Sequence, residues 1–284
     1  MLAWKILGHL ALDAVLFILL WLLLLGGRRR MRRWPLLTQY AYAHRGLHGP
    51  GVPENSLAAF RLAAENGFGA ELDVHLTADG RLAVVHDSDL ARVCGRPGVV
   101  EELTAAQLAD YRLGGTDEKI PYLEEVLPLF GGREPLLVEL KPARNGAALA
   151  EKTARLLDGF GGDYCVESFY PSALLWFRLH RPRVMRGQLA KNFLRDRAGI
   201  DPVGAFLLTN LCLNFISKPD FIAYRFSDRN ALSLRLCRRL YGVREFSWTI
   251  TSPEQQRAAE AEGATIIFEG FDPEAENRKR RERL

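Results

Sequence analysis

The sequence predicts an α/β protein: a (β/α)8 TIM barrel carried behind an N-terminal transmembrane helix. Three observations predict it. From Tyr40 onward, short β-rich runs alternate with amphipathic stretches, the pattern of a parallel sheet whose faces are covered by helices. No G-x-G-x-x-G follows the first of these runs, so the signature of an open dinucleotide-binding sheet is missing. Titratable residues also fall at the C-terminal ends of several runs, where a barrel keeps its chemistry.

Residues 1–37 read as a membrane anchor with an Arg-rich flank. The run "ILGHLALDAVLFILLWLLLL" (6–25) would rise about 30 Å as a helix, roughly one hydrocarbon core. His9 and Asp13 within it are four apart, so they share a helix face and can hydrogen-bond. One lysine precedes the run, and Arg28, Arg29, Arg30, Arg32 and Arg33 follow it. A signal peptide has the opposite order, with cations ahead of its apolar run and a small-residue cleavage site behind. By the positive-inside rule the arginines hold the rest of the chain in the cytoplasm. The expectation is a single-pass cell-membrane protein with a cytoplasmic catalytic domain.

The charge distribution agrees with that placement. Residues 1–34 carry six cations against Asp13, and the tail 277–284 carries five against Glu282, which leaves the body 38–276 net acidic. Basic ends on an acidic body suit an anionic lipid surface and offer no basic face to nucleic acid. Cys94, Cys165, Cys212 and Cys237 are scattered singly without a C-x-x-C pair, as expected of buried, reduced thiols.

Within the body, nine runs read as strands: "AYAHRG", "GAELDVHL", "LAVVHD", "PLLVELK", "YCVESF", "VMRGQLA", "DFIAYR", "REFSWTI" and "TIIFEG". The amphipathic stretches between them include "ENSLAAFRLAAENG", "GAALAEKTARLLDGF", "YPSALLWFRLH" and "SPEQQRAAEAEG". Eight strand–helix units plus one extra strand-like run fit a closed barrel. The segment 192–217 is an apolar insertion, expected either to pack as a helix on the barrel or to dip into the membrane interface.

His44 and Arg45 end the first run, Glu71 and Asp73 lie late in the second, and His86 and Asp87 end the third. Glu139 and Lys141 end the fourth, and Trp248 lies near the end of "REFSWTI". Glu71 and Asp73, two apart on a strand, point to one side, and Glu139 and Lys141 repeat the spacing. Three inward carboxylates beside one lysine imply either a rim of salt bridges or a divalent cation, Mg2+ or Ca2+ given oxygen-only ligands. Two imidazoles at the same mouth can act as general acid and general base. Arg45 and Lys141 add fixed positive charge for an anion, and a guanidinium suits phosphate. Together these residues describe a phosphodiester site.

The segments "AHRGLHGPGVPENSLAAF", "GAELDVHLTADGRLAVVHD" and "LLVELK" closely resemble the signature of the glycerophosphodiester phosphodiesterases. "ESF" resembles the family's fourth-strand end and "FSWTI" its tryptophan strand. The resemblance spans roughly residues 41–270 and implies hydrolysis of glycerophosphodiesters to glycerol phosphate and an alcohol. It further implies that Glu71, Asp73 and Glu139 hold one divalent cation, Mg2+ or Ca2+. His44 and His86 would be the acid–base pair, with His44 as acid, Arg45 and Lys141 would hold phosphate, and Trp248 would contact substrate. Glu54, in Pro-Glu-Asn, would brace the first loop. One departure is Glu269, which stands where the family shows an aspartate near a proline. Two alternatives accompany this expectation: a lysophospholipase D-like or lyase activity on lysophospholipids, and an inactive lipid-binding barrel. The intact histidines and carboxylates argue against the second.

Overall fold

The structure, a computed structural model, describes residues 2–28, 37–142, 146–197 and 199–275. The strands are β1 (Tyr42–Ala43), β2 (Gly69–Leu76), β3 (Leu82–Val84), β4 (Leu136–Leu140), β5 (Tyr164–Ser168), β6 (Met185–Ala190), β7 (Phe221–Arg225), β8 (Arg244–Ile250) and β9 (Thr265–Phe268). All except β3 are parallel to their neighbours, and β1 closes the barrel by pairing with both β2 and β9. The expected (β/α)8 barrel is the observed fold.

The third strand-like run corrects the sequence reading. "LAVVHD" is not a barrel strand: β3 stops at Val84 and runs antiparallel to β2, so His86 and Asp87 lie beyond its end. The reason is the length of the link. Thr77 N donates to Arg81 O at 2.9 Å, and Gly80 turns the chain at φ 81°. A parallel crossover needs a dozen residues or more, so this turn can only return the chain as a hairpin. The first run shortens as well, because the chain leaves the sheet at His44 and Arg45 takes a left-handed φ of 55°.

Strand alternation sets what faces inward. Leu72 and Val74 of β2 point outward and are fully buried with Phe60 and Ala63 of the helix α2 (Leu57–Glu65). Ser56 caps that helix, its hydroxyl accepting from Ala59 N at 3.1 Å. Helices α3 (Leu123–Phe130), α4 (Gly146–Leu157) and α5 (Pro171–His180) continue this shell, where a buried Phe or Leu contributes about 1.5–3 kcal/mol. Inside the barrel, Tyr42, Leu137, Met185, Phe221, Phe246 and Ile267 form a second apolar cluster. Cys165, Cys212 and Cys237 are buried free thiols, and Cys94 is half-buried.

Between β6 and β7, the insertion 192–217 folds as α6 (Pro202–Thr209) and a short helix at Asn214–Ser217. Ala205, Leu211 and Cys212 are buried, while Val203 and Phe206 remain exposed. The shell is completed by α7 (Leu232–Tyr241) and α8 (Pro253–Glu260).

The N-terminal helix α1 (Leu2–Leu25) is long and apolar enough to cross a membrane, with a mean hydropathy of 2.3 over Trp4–Leu25. Its end is fastened to the barrel. Leu25 is fully buried, Trp21 Nε1 donates to Asn210 O at 3.0 Å, and Asn214 Nδ2 donates to Leu25 O at 3.4 Å. Lys218 Nζ donates to Gly26 O at 3.2 Å, and Arg28 N donates to Pro219 O at 2.9 Å. Gly27 is required by close approach: a Cβ there would lie 2.4 Å from Val243 Cγ2 and 2.9 Å from Pro219 O. Arg29, Arg30, Arg32 and Arg33 lie outside the described residues, as does the basic tail 277–284.

Candidate active site

Strand register assembles a row of acids at the C-terminal end of the barrel. Asp73 of β2 is paired with Glu139 of β4, and Glu139 with Glu167 of β5. Glu71, Asp73 and Glu139 are buried, and each offers an oxygen within 4.8 Å of the others. Lys141 Nζ reaches into this row, 2.9 Å from Glu139 Oε1 and 3.1 Å from Asp73 Oδ1. The latter approach lacks hydrogen-bond alignment, so buried Asp73 Oδ1, like Glu167 Oε2, has no hydrogen-bond donor among the described residues.

Burial raises the Glu71 carboxyl well above its usual range, and repulsion from Asp73 and Glu139 adds to the rise. Glu139 is pushed up to about 7, by burial first; Lys141 opposes the shift and Asp73 reinforces it. Glu167 is raised by burial and then by Glu71 and Glu139. Asp73 goes the other way: burial works against its charge, but Lys141, His86 and Arg45 outweigh it and hold the carboxyl well below its usual value. Lys141 is held charged, since Asp73 and Glu139 overcome its desolvation. One lysine thus offsets part of a buried excess of negative charge. Close oxygens, with Asp73 Oδ1 left without a donor among the described residues, fit a hard divalent cation.

Each of the two proposed acid–base imidazoles has its own carboxylate. His44 Nδ1 lies 2.7 Å from Glu269 Oε2, and His86 Nδ1 lies 2.6 Å from Asp87 Oδ1. In both cases Nδ1–H donates to the carboxylate, and Nε2 has no hydrogen-bond partner among the described residues. Burial lowers the His86 pKa, as do Lys141 and Arg45, against the pull of Asp73 and Asp87. The hydrogen bond from His44 is the main cause that depresses Glu269.

A chain of ion pairs links the first loop to His86. Arg45 Nη1 donates to Glu54 Oε1 at 2.9 Å, and Arg92 grips both Glu54 oxygens at 2.7 and 3.0 Å. Arg92 Nε donates in turn to Asp87. Arg45 also donates its backbone N–H to Glu71 Oε2 at 2.9 Å. Trp248, on β8, packs edge-to-face on Phe169 at 5.8 Å, and Phe169 packs on Phe193 at 5.9 Å. These rings make an apolar wall, and the buried Trp248 Nε1 has no acceptor among the described residues.

Several contributors were not picked out from the sequence. Asn55, buried at φ 55°, donates Nδ2 to Asp73 Oδ2 at 2.9 Å and its backbone N–H to Arg45 O at 2.8 Å. His75, two residues past Asp73, donates Nε2–H to the His86 carbonyl at 3.2 Å and lies 2.6 Å from Glu101 through Nδ1. The i, i+2 spacing of Glu71, Asp73 and His75 marks all three as inward-facing and could have found it. Glu167 and Phe169, marked in the sequence only by "ESF" as a strand end, and Arg92, unmarked there, gain their places beside the site from strand register and the hairpin.

A parallel barrel that collects acids, bases and fixed cations at its C-terminal mouth has the makings of a hydrolase. This chain belongs to the glycerophosphoryl diester phosphodiesterase family, whose sequence profile matches residues 44–268. It is similar to YhdW of Bacillus subtilis, with 28% identity over 82% of this chain and 94% of that protein. A glycerophosphodiester phosphodiesterase of Bacillus altitudinis is 35% identical over 50% of this chain and 63% of its own length. The fold is shared with an Oleispira antarctica phosphodiesterase solved with its product sn-glycerol-3-phosphate, at a TM-score of 0.68 and 20% identity. That match covers 85% of this chain and 96% of the other. The Thermotoga maritima glycerophosphodiester phosphodiesterase matches at a TM-score of 0.62 and 24% identity, over 81% of this chain and 94% of its own. The chain is an enzyme of this family, which sets aside the inactive lipid-binding barrel.

Proposed function

We propose that this protein is a membrane-anchored, divalent-metal-dependent phosphodiesterase that splits glycerophosphodiesters into glycerol phosphate and an alcohol. The observation that carries the reading is the pair of carboxylate-held imidazoles, His44–Glu269 and His86–Asp87, set beside the buried acids. Glu71, Asp73 and Glu139 hold the cation, Mg2+ or Ca2+, which when bound polarises the phosphoryl oxygens and offsets charge that builds up on them. Arg45 and Lys141 bind the phosphate. One imidazole takes a proton from the attacking oxygen through Nε2, while the other gives one to the departing alkoxide. Glu269 and Asp87 hold the rings in the tautomer with Nδ1–H and stabilise the protonated form. Glu54 fixes Arg45, and Trp248 bounds the substrate.

The docked end of α1 supports a retained anchor over a cleaved leader, because Leu25 and the Gly26 carbonyl complete contacts of the barrel. The domain reading stays as an anchor at 1–37, a barrel at 38–276 with its 192–217 insertion, and a basic tail at 277–284, with the barrel in the cytoplasm. The Phe169–Trp248–Phe193 wall favours a second reading, in which the same site acts on lysophospholipids with an apolar chain along those rings. Assaying purified full-length protein against glycerophosphodiesters and lysolipids, with each metal and in chelator, tests both. Turnover of glycerophosphodiesters only with a divalent ion is the expected result, and full activity in excess chelator would overturn the metal role.

A further inference from the structure

A second cluster of metal-ligating side chains lies at the barrel mouth, apart from the buried acids: His44, His48 and Glu269. The β1–β9 pairing builds it. Ala43 is in register with Phe268, and His44 N donates to Phe268 O at 2.9 Å, so His44 and Glu269 leave adjacent strands side by side. The loop after β1 then turns back and brings His48 over them. Glu269 Oε2 lies 2.7 Å from His44 Nδ1, and Glu269 Oε1 lies 3.8 Å from His48 Nε2. One donor atom from each of the three residues falls within 4.8 Å of the others.

One observation points beyond a hydrogen-bonded group. His48 Nε2 is buried with no hydrogen-bond partner among the described residues, although it faces a carboxylate. The three side chains are 15%, 18% and 37% exposed, so an ion can arrive from solvent. Two imidazole nitrogens and one carboxylate are a ligand set for Zn2+ with an open fourth position. The oxygen-only row of Glu71, Asp73 and Glu139 selects instead for Mg2+ or Ca2+.

We infer that His44, His48 and Glu269 form an inhibitory site for a borderline transition cation such as Zn2+, separate from the carboxylate site. An ion there binds His44 through Nδ1, the ring's proton shifting from Nδ1 to Nε2, and takes the Glu269 carboxylate away from the ring. The imidazole then no longer cycles between its neutral and protonated forms, and turnover stops. The inhibition rests on the acid–base role proposed for His44, whereas the binding does not.

The test uses full-length protein saturated with Mg2+ or Ca2+ and titrated with Co2+, a spectroscopic stand-in for Zn2+. The wild type should develop the intense visible bands of four-coordinate Co2+ at about one equivalent. His48→Gln should lose them and should need roughly 10–100-fold more Zn2+ for half-inhibition, the scale on which even outer partners of a metal ligand act. Its melting temperature and its rate without Zn2+ should match the wild type. Identical Co2+ spectra in the two proteins would overturn the site, as would Zn2+ inhibition relieved by raising Mg2+. Bands that depend on His48 without any inhibition would keep the site and remove His44 from the acid–base pair.

Discussion

The ammonium of Lys141 stands 3.1 Å from Oδ1 of Asp73, with Glu139 2.9 Å away on its other side. With Arg45, whose Nε lies 3.7 Å from Asp73 Oδ2, this lysine is a cation on which the buried acids depend when no metal is bound. Lys141→Met should therefore destabilise the barrel in chelator by about 3–5 kcal/mol, the usual consequence of leaving a buried charge without its partner. Saturating Mg2+ or Ca2+ should restore much of the loss in a thermal melt. A variant as stable as wild type in chelator would mean that Lys141 does not hold these carboxylates together.

Asp73→Ala should abolish turnover and divalent-ion binding together. Calorimetric titration with Mg2+ and Ca2+ checks the binding directly. Undiminished affinity in the variant would move the cation elsewhere.

The raised carboxyls set a pH dependence of stability. Glu139, lifted to about 7 from an ordinary 4.5, binds more protons folded than unfolded across that interval. Stability in chelator should therefore fall as pH rises from about 4.5 to about 7 and stay low above it. Glu71 and Glu167 are raised in the same direction and extend the decline. Asp73, depressed, contributes stability that is lost only in strong acid. A divalent ion should flatten the curve, and a melting temperature that climbs with pH through this window in chelator would contradict the assignment.

His44→Ala and His86→Ala should each lower turnover by about 10²–10⁴-fold while divalent binding survives. Each variant should also lose one limb of the pH–rate profile. Both limbs persisting in His86→Ala would break the pair.

Orientation has its own test. Protease added outside intact cells should leave residues 38–284 uncut if the barrel is cytoplasmic. Cleavage of the barrel from outside would reverse the topology.

Much of this was legible in the sequence because the relevant pattern was local. The run at residues 69–76 forms β2 over the same bounds, since alternation there fixes both the strand and its inward acids. "LAVVHD" misled because its composition suits any strand. The five-residue span Thr77–Arg81 carried the missing information, since it is too short for a crossover. Arg92 was out of reach for a different reason. It sits 38 residues from Glu54, and only the hairpin brings it there to tie Asp87, the carboxylate beside His86, to the first loop. The seating of α1 on the barrel was equally hidden, because hydropathy marks a membrane helix and is silent about what its end touches.

That seating bears on how the enzyme can be handled. A fragment lacking residues 1–28 would lose the Leu25 side chain from its pocket beside Leu211 and Cys237, and the carbonyls that receive Asn214 and Lys218. Trimming α1 to gain solubility would uncover a greasy socket with stranded donors around it. The trimmed protein should be prone to clumping, and a detergent micelle or lipid disc around the intact chain is the milder route to a stable preparation.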